Sequence, residues 1–348
     1  MADLSTLYAQ KLRLKSPFIV ASSGLTKDIR QIQQLEKAGA GAIVLKSIFE
    51  EQIEQEITKM TDESIGGYHD STAMDYLQHY VKGHALKTHI DLIKEAKRCI
   101  TAPIIASVNA YKSDSWVEYA QELIEAGADA LECNVMRIES KVAQPWGASE
   151  EDLIQMVRSL RKQMEDTPII IKLSKYYTNI IRLCRDLKLA GADGVVLFNR
   201  TFMPDIDIEK EKITVGSVLS HEGSYSDTLR YAGLVRGAVP ELSIALSNGP
   251  RNGEDLVKGL LAGADGVQFA SALYKGGAEV IREANQFLSD WMDRKQYHHI
   301  NEFKGKLAAT RVDHATMYQR SQFMRYYSSE DANPTQITNL GRPDYSQL

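Results

Sequence analysis

Two lysines stand where an apolar run should exclude them. Lys46 closes the run in "GAIVLKSI", and Lys172 lies inside "PIIIKLS". Burying an ammonium in such a run is costly unless it meets an anion or an electron-rich group. The pair therefore points to a site that gathers negative charge, or to buried lysines neutralised by carboxylates such as Glu132. Three asparagines, Asn109, Asn134 and Asn199, follow other apolar runs. An amide offers donors and an acceptor together, which suits a heterocycle presenting both kinds of group, although any one of them alone reads as a loop cap. Small residues cluster in "SNGPRNG", with Ser247, Asn248 and Gly249, and in "ASALYKGG", with Ala270 and Ser271. Backbone N–H groups in such segments can approach a phosphate closely, against the plainer reading of ordinary turns.

The elements that carry these residues repeat. "LAGADGVVLFNR" from Leu189 returns as "LAGADGVQFASA" from Leu261, with looser versions at Lys37 and Glu125. Each copy begins where an amphipathic helix ends: glycine, lacking Cβ, supplies the left-handed residue that stops a helix. A short apolar run rich in β-branched residues follows, as expected of a strand buried on both faces. This template gives eight strands, beginning near Pro17, Gly41, Pro103, Ala130, Pro168, Gly194, Glu241 and Gly266. Strands alternating with helices imply a parallel sheet with right-handed crossovers, and eight rounds imply a TIM (β/α)8 barrel. A doubly wound open sheet is the rival, but its glycine-rich turn after the first strand is missing. The candidate residues all fall at strand C-termini, where this fold places its active sites.

Several features lie outside the repeat. "TLYAQKLRLKSPF" reads as an N-terminal hairpin plugging the opposite end of the barrel. Long polar βα loops follow the second and sixth strands, as functional lids or small subdomains do. The chain is expected to form a single barrel domain over residues 1–348, with its core at about 17–296 and a polar surface tail from about Tyr327.

The totals exclude several classes. With 348 residues, a net charge of −5, 43% hydrophobic residues and 25% charged ones of both signs, the chain carries no basic stripe for nucleic acid. Cys99, Cys133 and Cys184 form no CxxC motif and no disulfide framework. No signal-peptide core and no bilayer-spanning apolar run is present, so the reading is a soluble cytoplasmic protein without membrane contact. His298 and His299 are adjacent and read as a solvated helix end, and no motif asks for a metal. "YYTN" from Tyr176 and "RYYSS" from Arg325 read as packing or a subunit contact.

On these motifs the chain resembles the dihydroorotate dehydrogenase family of FMN-dependent barrels, and most of all its soluble class 1, from about Leu4 to beyond Gly277. "SPFIVASSGLT", "GAGAIVLKSI", "PIIIKLS" and "LAGADGVQFASALYKGG" carry the resemblance. It implies FMN as cofactor, with Ala21, Ser22, Ser23 and Gly24 lining the ring and Lys172 near its N1–O2 edge. Lys46 would lie at the flavin–substrate boundary, Asn109 and Asn134 at the polar ring edge, and Asn199 between flavin and substrate. The loops with Ser247, Asn248, Gly249, Ala270 and Ser271 would hold the phosphate. A homodimer is the family's guide to assembly.

The substrate half of the pattern departs from the family. Its "NLSCPN"-like motif, whose Cys or Ser is the general base, is here "CNVMRIES", which puts Arg137 at the base position. Arginine cannot serve as an ordinary base, but it could bind a carboxylate through paired N–H groups. Cys133 falls on the other side of the strand by alternation and reads as packing, while Ser140 is available later in the same loop. In place of an asparagine turn after the second strand stands "SIGGYHDS", offering Tyr68, His69 and Ser71.

The expectation is an FMN-dependent oxidoreductase acting on a C–C bond beside a carbonyl or carboxylate, with dihydroorotate the first named candidate. The rivals are a barrel acting on a different unsaturated acid or pyrimidine, a flavin-binding module without catalysis, and a redox-free lyase or isomerase using Lys46 or Lys172 as a Schiff base. The electron acceptor is open, since three cysteines cannot ligate an all-cysteine iron–sulfur cluster.

Overall fold

The structure is a computed structural model that describes residues 2–52, 55, 86–109, 113–136, 138–201, 203–221, 223–311 and 318. In chain order its strands are β1 (Thr6–Tyr8), β2 (Leu12–Leu14), β3 (Phe18–Val20), β4 (Ala42–Val44), β5 (Ile48–Phe49), β6 (Ile104–Asn109) and β7 (Ala130–Asn134). They continue as β8 (Ile169–Leu173), β9 (Gly194–Leu197), β10 (Pro204–Asp207), β11 (Lys212–Val215), β12 (Ser243–Leu246) and β13 (Gly266–Phe269). Eight of them, β3, β4, β6, β7, β8, β9, β12 and β13, pair in parallel, and the β4–β6 pairing closes the ring. β5 adds a short parallel pairing beside the upper part of β6. Each expected strand is present, and the fold is a TIM barrel.

β1 and β2 form the expected antiparallel hairpin. Tyr8, Ala9, Leu12 and Leu14 pack with the inward-facing Ile19, Ala42, Val44, Ile105, Ala130, Ile170, Val196 and Ala245, so the hairpin seals the N-terminal end of the barrel. The larger apolar cluster lies between strands and helices. The long loop after β9 holds an exposed antiparallel hairpin, β10–β11, with Ile206 opposite Ile213. Among the described residues no helix is long and apolar enough to cross a membrane.

The repeated "GAD" phrase has a mechanical role beyond ending helices. Asp129, Asp193 and Asp265 each accept a hydrogen bond from the backbone N–H of Ile104, Ile169 or Ile244, at 2.8, 2.9 and 2.9 Å. Each aspartate's own N–H donates back to the same isoleucine's carbonyl, at 2.8, 2.8 and 2.7 Å. A residue at the start of one strand is thus bracketed by the turn leading into the next. A base from the preceding helix neutralises each carboxylate: Lys97 at 2.7 Å, Arg161 at 2.5 Å and Arg236 at 2.7 Å. Both arginines also donate through Nε to a glycine carbonyl, Gly191 at 3.0 Å and Gly263 at 2.8 Å. In the first copy Gly41 stands at the aspartate position. A Cβ there would lie 1.8 Å from the Ser16 carbonyl oxygen, so no side chain fits.

Candidate functional site

Strand alternation sorts the barrel residues by side. Ala42, Val44, Ile105, Ala130, Ile170 and Ala245 point inward at the sealed end. Continuing with the same parity toward the strand C-termini gives Lys46, Ser107, Asn109, Glu132, Asn134, Lys172 and Ser247. The sequence therefore places apolar residues at the floor and polar ones above it, and the polar set faces the open mouth.

At the centre of that set is a buried triad. Lys172 Nζ donates to Gln268 Oε1 at 2.8 Å and lies 3.5 Å from Glu132 Oε1, while Gln268 Nε2 donates to Glu132 Oε2 at 2.5 Å. Lys172, Glu132 and Gln268 are all buried. The alternative reading of a lysine neutralised by Glu132 thus describes Lys172, with Gln268 as bridge. Buried ions persist when paired and hydrogen-bonded, and this arrangement meets both conditions. Beside it, Asn199 Nδ2 donates to Asn134 Oδ1 at 2.5 Å, joining the ends of β9 and β7. Asn109 ends β6 half-buried.

Lys46 is half-buried at the rim. Its ammonium lies over the Phe49 ring, 5.6 Å from the centroid, and among the described residues it pairs with no carboxylate. Its backbone is fixed by a carbonyl contact with the His89 ring at 3.1 Å. Alongside runs a chain of hydroxyls: Ser22 Oγ and Ser47 Oγ are 3.0 Å apart, and Ser47 Oγ and Ser107 Oγ 2.7 Å. Ser22 Oγ also accepts from the Ser47 N–H at 3.0 Å. Ala21 continues β3 through its N–H to the Phe269 carbonyl at 2.9 Å. Ser23 then caps the short turn Gly24–Thr26, and the Gly24 N–H donates to the Tyr274 hydroxyl at 2.8 Å. A Cβ on Gly24 would meet that oxygen at 2.8 Å.

The segments after β12 and β13 lie together. Ser247 holds the strand line through its N–H to the Leu197 carbonyl at 2.7 Å. Asn248 and Gly249 both have positive φ, 64° and 122°, and a Cβ on Gly249 would lie 2.8 Å from the Tyr225 nitrogen. Ala270 precedes the short helix Ser271–Gly276, and Ser271 Oγ accepts from the Ser220 N–H at 3.0 Å. Gly249, Arg251, Ser220, Ser271 and Lys275 line a cavity of about 830 Å³. Arg251 is paired with Asp255 at 3.2 Å, so Lys275 and the Gly249 and Gly276 backbone are what suit an anionic group here.

Arg137, Tyr68, His69 and Ser71 lie outside the described residues. Ser140 is exposed, and among the described residues no hydrogen bond joins it to Lys46, Asn134, Lys172 or Asn199. The structure does not bring it to the polar layer. Cys133 is fully buried in the cluster between strands and helices, as alternation requires, and burial pushes its thiol well up. Gln268, Ser47, Ser107, Tyr274 and Ser220 were not singled out by sequence reasoning. Gln268 carried a readable signal: it is the polar residue inside the apolar run "GVQF".

Comparison with known proteins adds an independent finding. A family model described as dihydroorotate dehydrogenase matches residues 6–292. The catalytic subunit of dihydroorotate dehydrogenase B (NAD(+)) from Thermoplasma volcanium is 28% identical over 316 residues, covering 88% of this chain and 98% of that protein. Proteins of the same name from Methanosarcina mazei and Pyrococcus abyssi are 27% and 26% identical, each covering 84% of this chain and 92% and 96% of their own.

Proposed function

Because the chain belongs to the dihydroorotate dehydrogenase family of oxidoreductases, we propose that it is an FMN-dependent enzyme that oxidises or reduces a C–C bond beside a carbonyl or carboxylate. Dihydroorotate is its first candidate substrate, which would place the chain in pyrimidine biosynthesis. The observation that carries this reading is the inward polar layer, in which a buried lysine is held by Gln268 and Glu132 beside the Asn134–Asn199 pair.

The residues present fit FMN. Lys172 is a buried cation at the base of the mouth, and the backbone at Gly24 and Gly249 lies where side chains would collide. Lys172, Asn109 and Asn134 would hold the polar edge of the ring. Ala21, Ser22, Ser23 and Gly24 would lie along it, with Asn199 between cofactor and substrate. Ser247, Asn248, Gly249, Ala270 and Ser271 would surround the phosphate. When bound, FMN supplies the two-electron acceptor or donor. A fixed cation costs no reorganisation as negative charge develops beside it, and that is the role of Lys172 in this reading.

Lys46, at the rim without a carboxylate partner among the described residues, would orient the anionic part of the substrate. Arg137, at the family's base position, would bind rather than deprotonate, and Ser140 would need its exposed loop to fold inward to act as base. A homodimer is proposed on the family resemblance alone. A companion subunit is proposed because the relatives are catalytic subunits.

The test is the visible spectrum of the purified protein without oxygen, before and after adding dihydroorotate. A flavin band that bleaches supports both cofactor and substrate. A band that persists keeps FMN and moves the substrate to another unsaturated acid or pyrimidine. No flavin band even after FMN is supplied overturns the reading.

A further inference from the structure

Arg200 follows Asn199 directly and lines a second, smaller cavity of about 200 Å³ on the β8–β9–β12 side of the mouth, with Lys175, His221, Ser224, Asp227 and Asn248. Its guanidinium is half-buried and unusually short of partners. Among the described residues, Nη2 donates to the Ser217 carbonyl and lies 3.8 Å from the Met203 sulfur, while Nε and Nη1 make no hydrogen bond. A guanidinium carries five N–H donors, so most of its hydrogen-bonding capacity is unused among the described residues, at a side chain that lines the cavity. Among the described residues no carboxylate pairs with it. Asp227, the acid in the same wall, is taken by Lys175 at 3.3 Å. Those two charges cancel and Arg200 leaves the cavity with one positive charge in excess. Burial lowers its pKa, as expected of a cation that has lost part of its water.

The side chain is also held in place. The Ser217 carbonyl belongs to the segment that returns from the β10–β11 hairpin, and the Gly216 N–H closes that hairpin's base on the Met203 carbonyl at 2.8 Å. Such anchoring fixes the planar fork before a ligand arrives, which is the condition under which arginine binds oxyanions bidentately at low entropic cost.

We propose that Arg200 is the core of an oxyanion subsite at the barrel mouth, which takes either the carboxylate of the substrate or the phosphate of the cofactor. The proposal rests on the flavoenzyme reading only for the owner of the oxyanion, not for the subsite itself.

Calorimetric titration of the whole 348-residue protein and of Arg200→Gln reads the site, using FMN against riboflavin and orotate against uracil. Within each pair the main difference is one oxyanion. Arg200→Gln is expected to weaken one of the two anions by about tenfold or more, the loss of a charged hydrogen-bonded pair, and to leave its neutral counterpart within about twofold. A loss confined to FMN assigns the cofactor phosphate, and a loss confined to orotate assigns the substrate carboxylate. Equal affinities of wild type and variant for both anions, or equal losses for the neutral compounds, overturn the proposal. If no flavin binds at all, the flavoenzyme reading fails, and inorganic phosphate and fumarate become the probes. The subsite then stands if Arg200→Gln weakens either, and falls if wild type and variant bind them alike or not at all. Arg200→Lys, which keeps the charge but not the fork, serves if the glutamine variant does not fold, with a loss in the same direction expected.

Discussion

Lys172 donates to Gln268 at 2.8 Å inside the barrel, from a strand 96 residues earlier in the chain. Gln268 in turn donates to Glu132, so one neutral amide satisfies both members of a buried ion pair that stand 3.5 Å apart. Its carbonyl faces the cation and its amide faces the anion. Removing that amide leaves both ions short of hydrogen bonds where little solvent reaches Lys172 and none reaches Glu132.

Gln268→Leu should therefore cost stability although it makes the strand more apolar. Breaking a buried ionic network typically costs about 3–5 kcal/mol, and losing a neutral bridge should lie near or below the lower end. A drop of about 2–3 kcal/mol in urea unfolding is expected, together with weaker retention of the proposed FMN, because Lys172 would then turn toward Glu132. Unchanged stability in Gln268→Leu would show that the ion pair needs no bridge.

The cysteines differ sharply in reactivity because thiolate, not thiol, is the nucleophile. Cys99 is exposed, whereas Cys133 and Cys184 are buried. Burial pushes the Cys184 thiol up to about 12, and it raises Cys133 strongly with the Glu132 charge adding to the effect. At pH 8 a disulfide reagent should titrate one thiol rapidly in the native protein and all three in guanidinium. A second fast thiol in the native protein would contradict the closed packing of β7 around Cys133 or of the helix Ile180–Ala190 around Cys184.

Arg161 and Arg236 perform the same task at two places in the barrel, each clamping an aspartate and a glycine carbonyl. Arg161→Ala and Arg236→Ala should each cost about 2–4 kcal/mol, since each leaves a partly buried carboxylate without its guanidinium. Asp265 keeps Lys304 at 2.6 Å as a second partner, so the Arg236 variant should be the milder of the two. The clasps share no residue, and the double variant should be additive to within about 0.5 kcal/mol. Thermal or urea melts of the three proteins decide it, and a milder Arg161 variant would refute the role given to Lys304.

These clasps also show where sequence reading stops. The eight strands were legible because glycine punctuation and unalternating apolar runs are local signals. The aspartates of the repeated phrase were in plain view, but their partners lie 32 residues away for Arg161–Asp193 and 29 for Arg236–Asp265, beyond any local pattern. Lys46, Lys172 and the three asparagines were found because polar residues in apolar strands are conspicuous. Gln268 obeys the same rule and was passed over as part of a buried run. Arg200 was invisible for another reason: an arginine in a polar loop reads as solvated, and only its partial burial and its lack of a carboxylate partner among the described residues distinguish it. The β10–β11 hairpin was anticipated only as a long loop, although "PDID" and "KITV" alternate as a hairpin with one apolar face does.

Tyr8 supplies a prediction with the opposite sign. It plugs the floor of the barrel fully buried, and among the described residues its hydroxyl has no hydrogen-bond partner. Burial raises its pKa well above the ordinary phenol value, and the charges of Glu132 and Asp265 raise it further, so the group stays neutral throughout the accessible pH range. An unsatisfied buried hydroxyl carries a desolvation cost with no return, of about 1–3 kcal/mol. Tyr8→Phe keeps the ring and its packing against Leu12, Leu14 and the inward strand residues while removing that cost. The variant should be about 1 kcal/mol more stable, read as a higher urea midpoint at unchanged slope. If it is instead destabilised by that amount, the hydroxyl is bonded in solution, and a buried water bridging it to the polar layer above would be the group to look for.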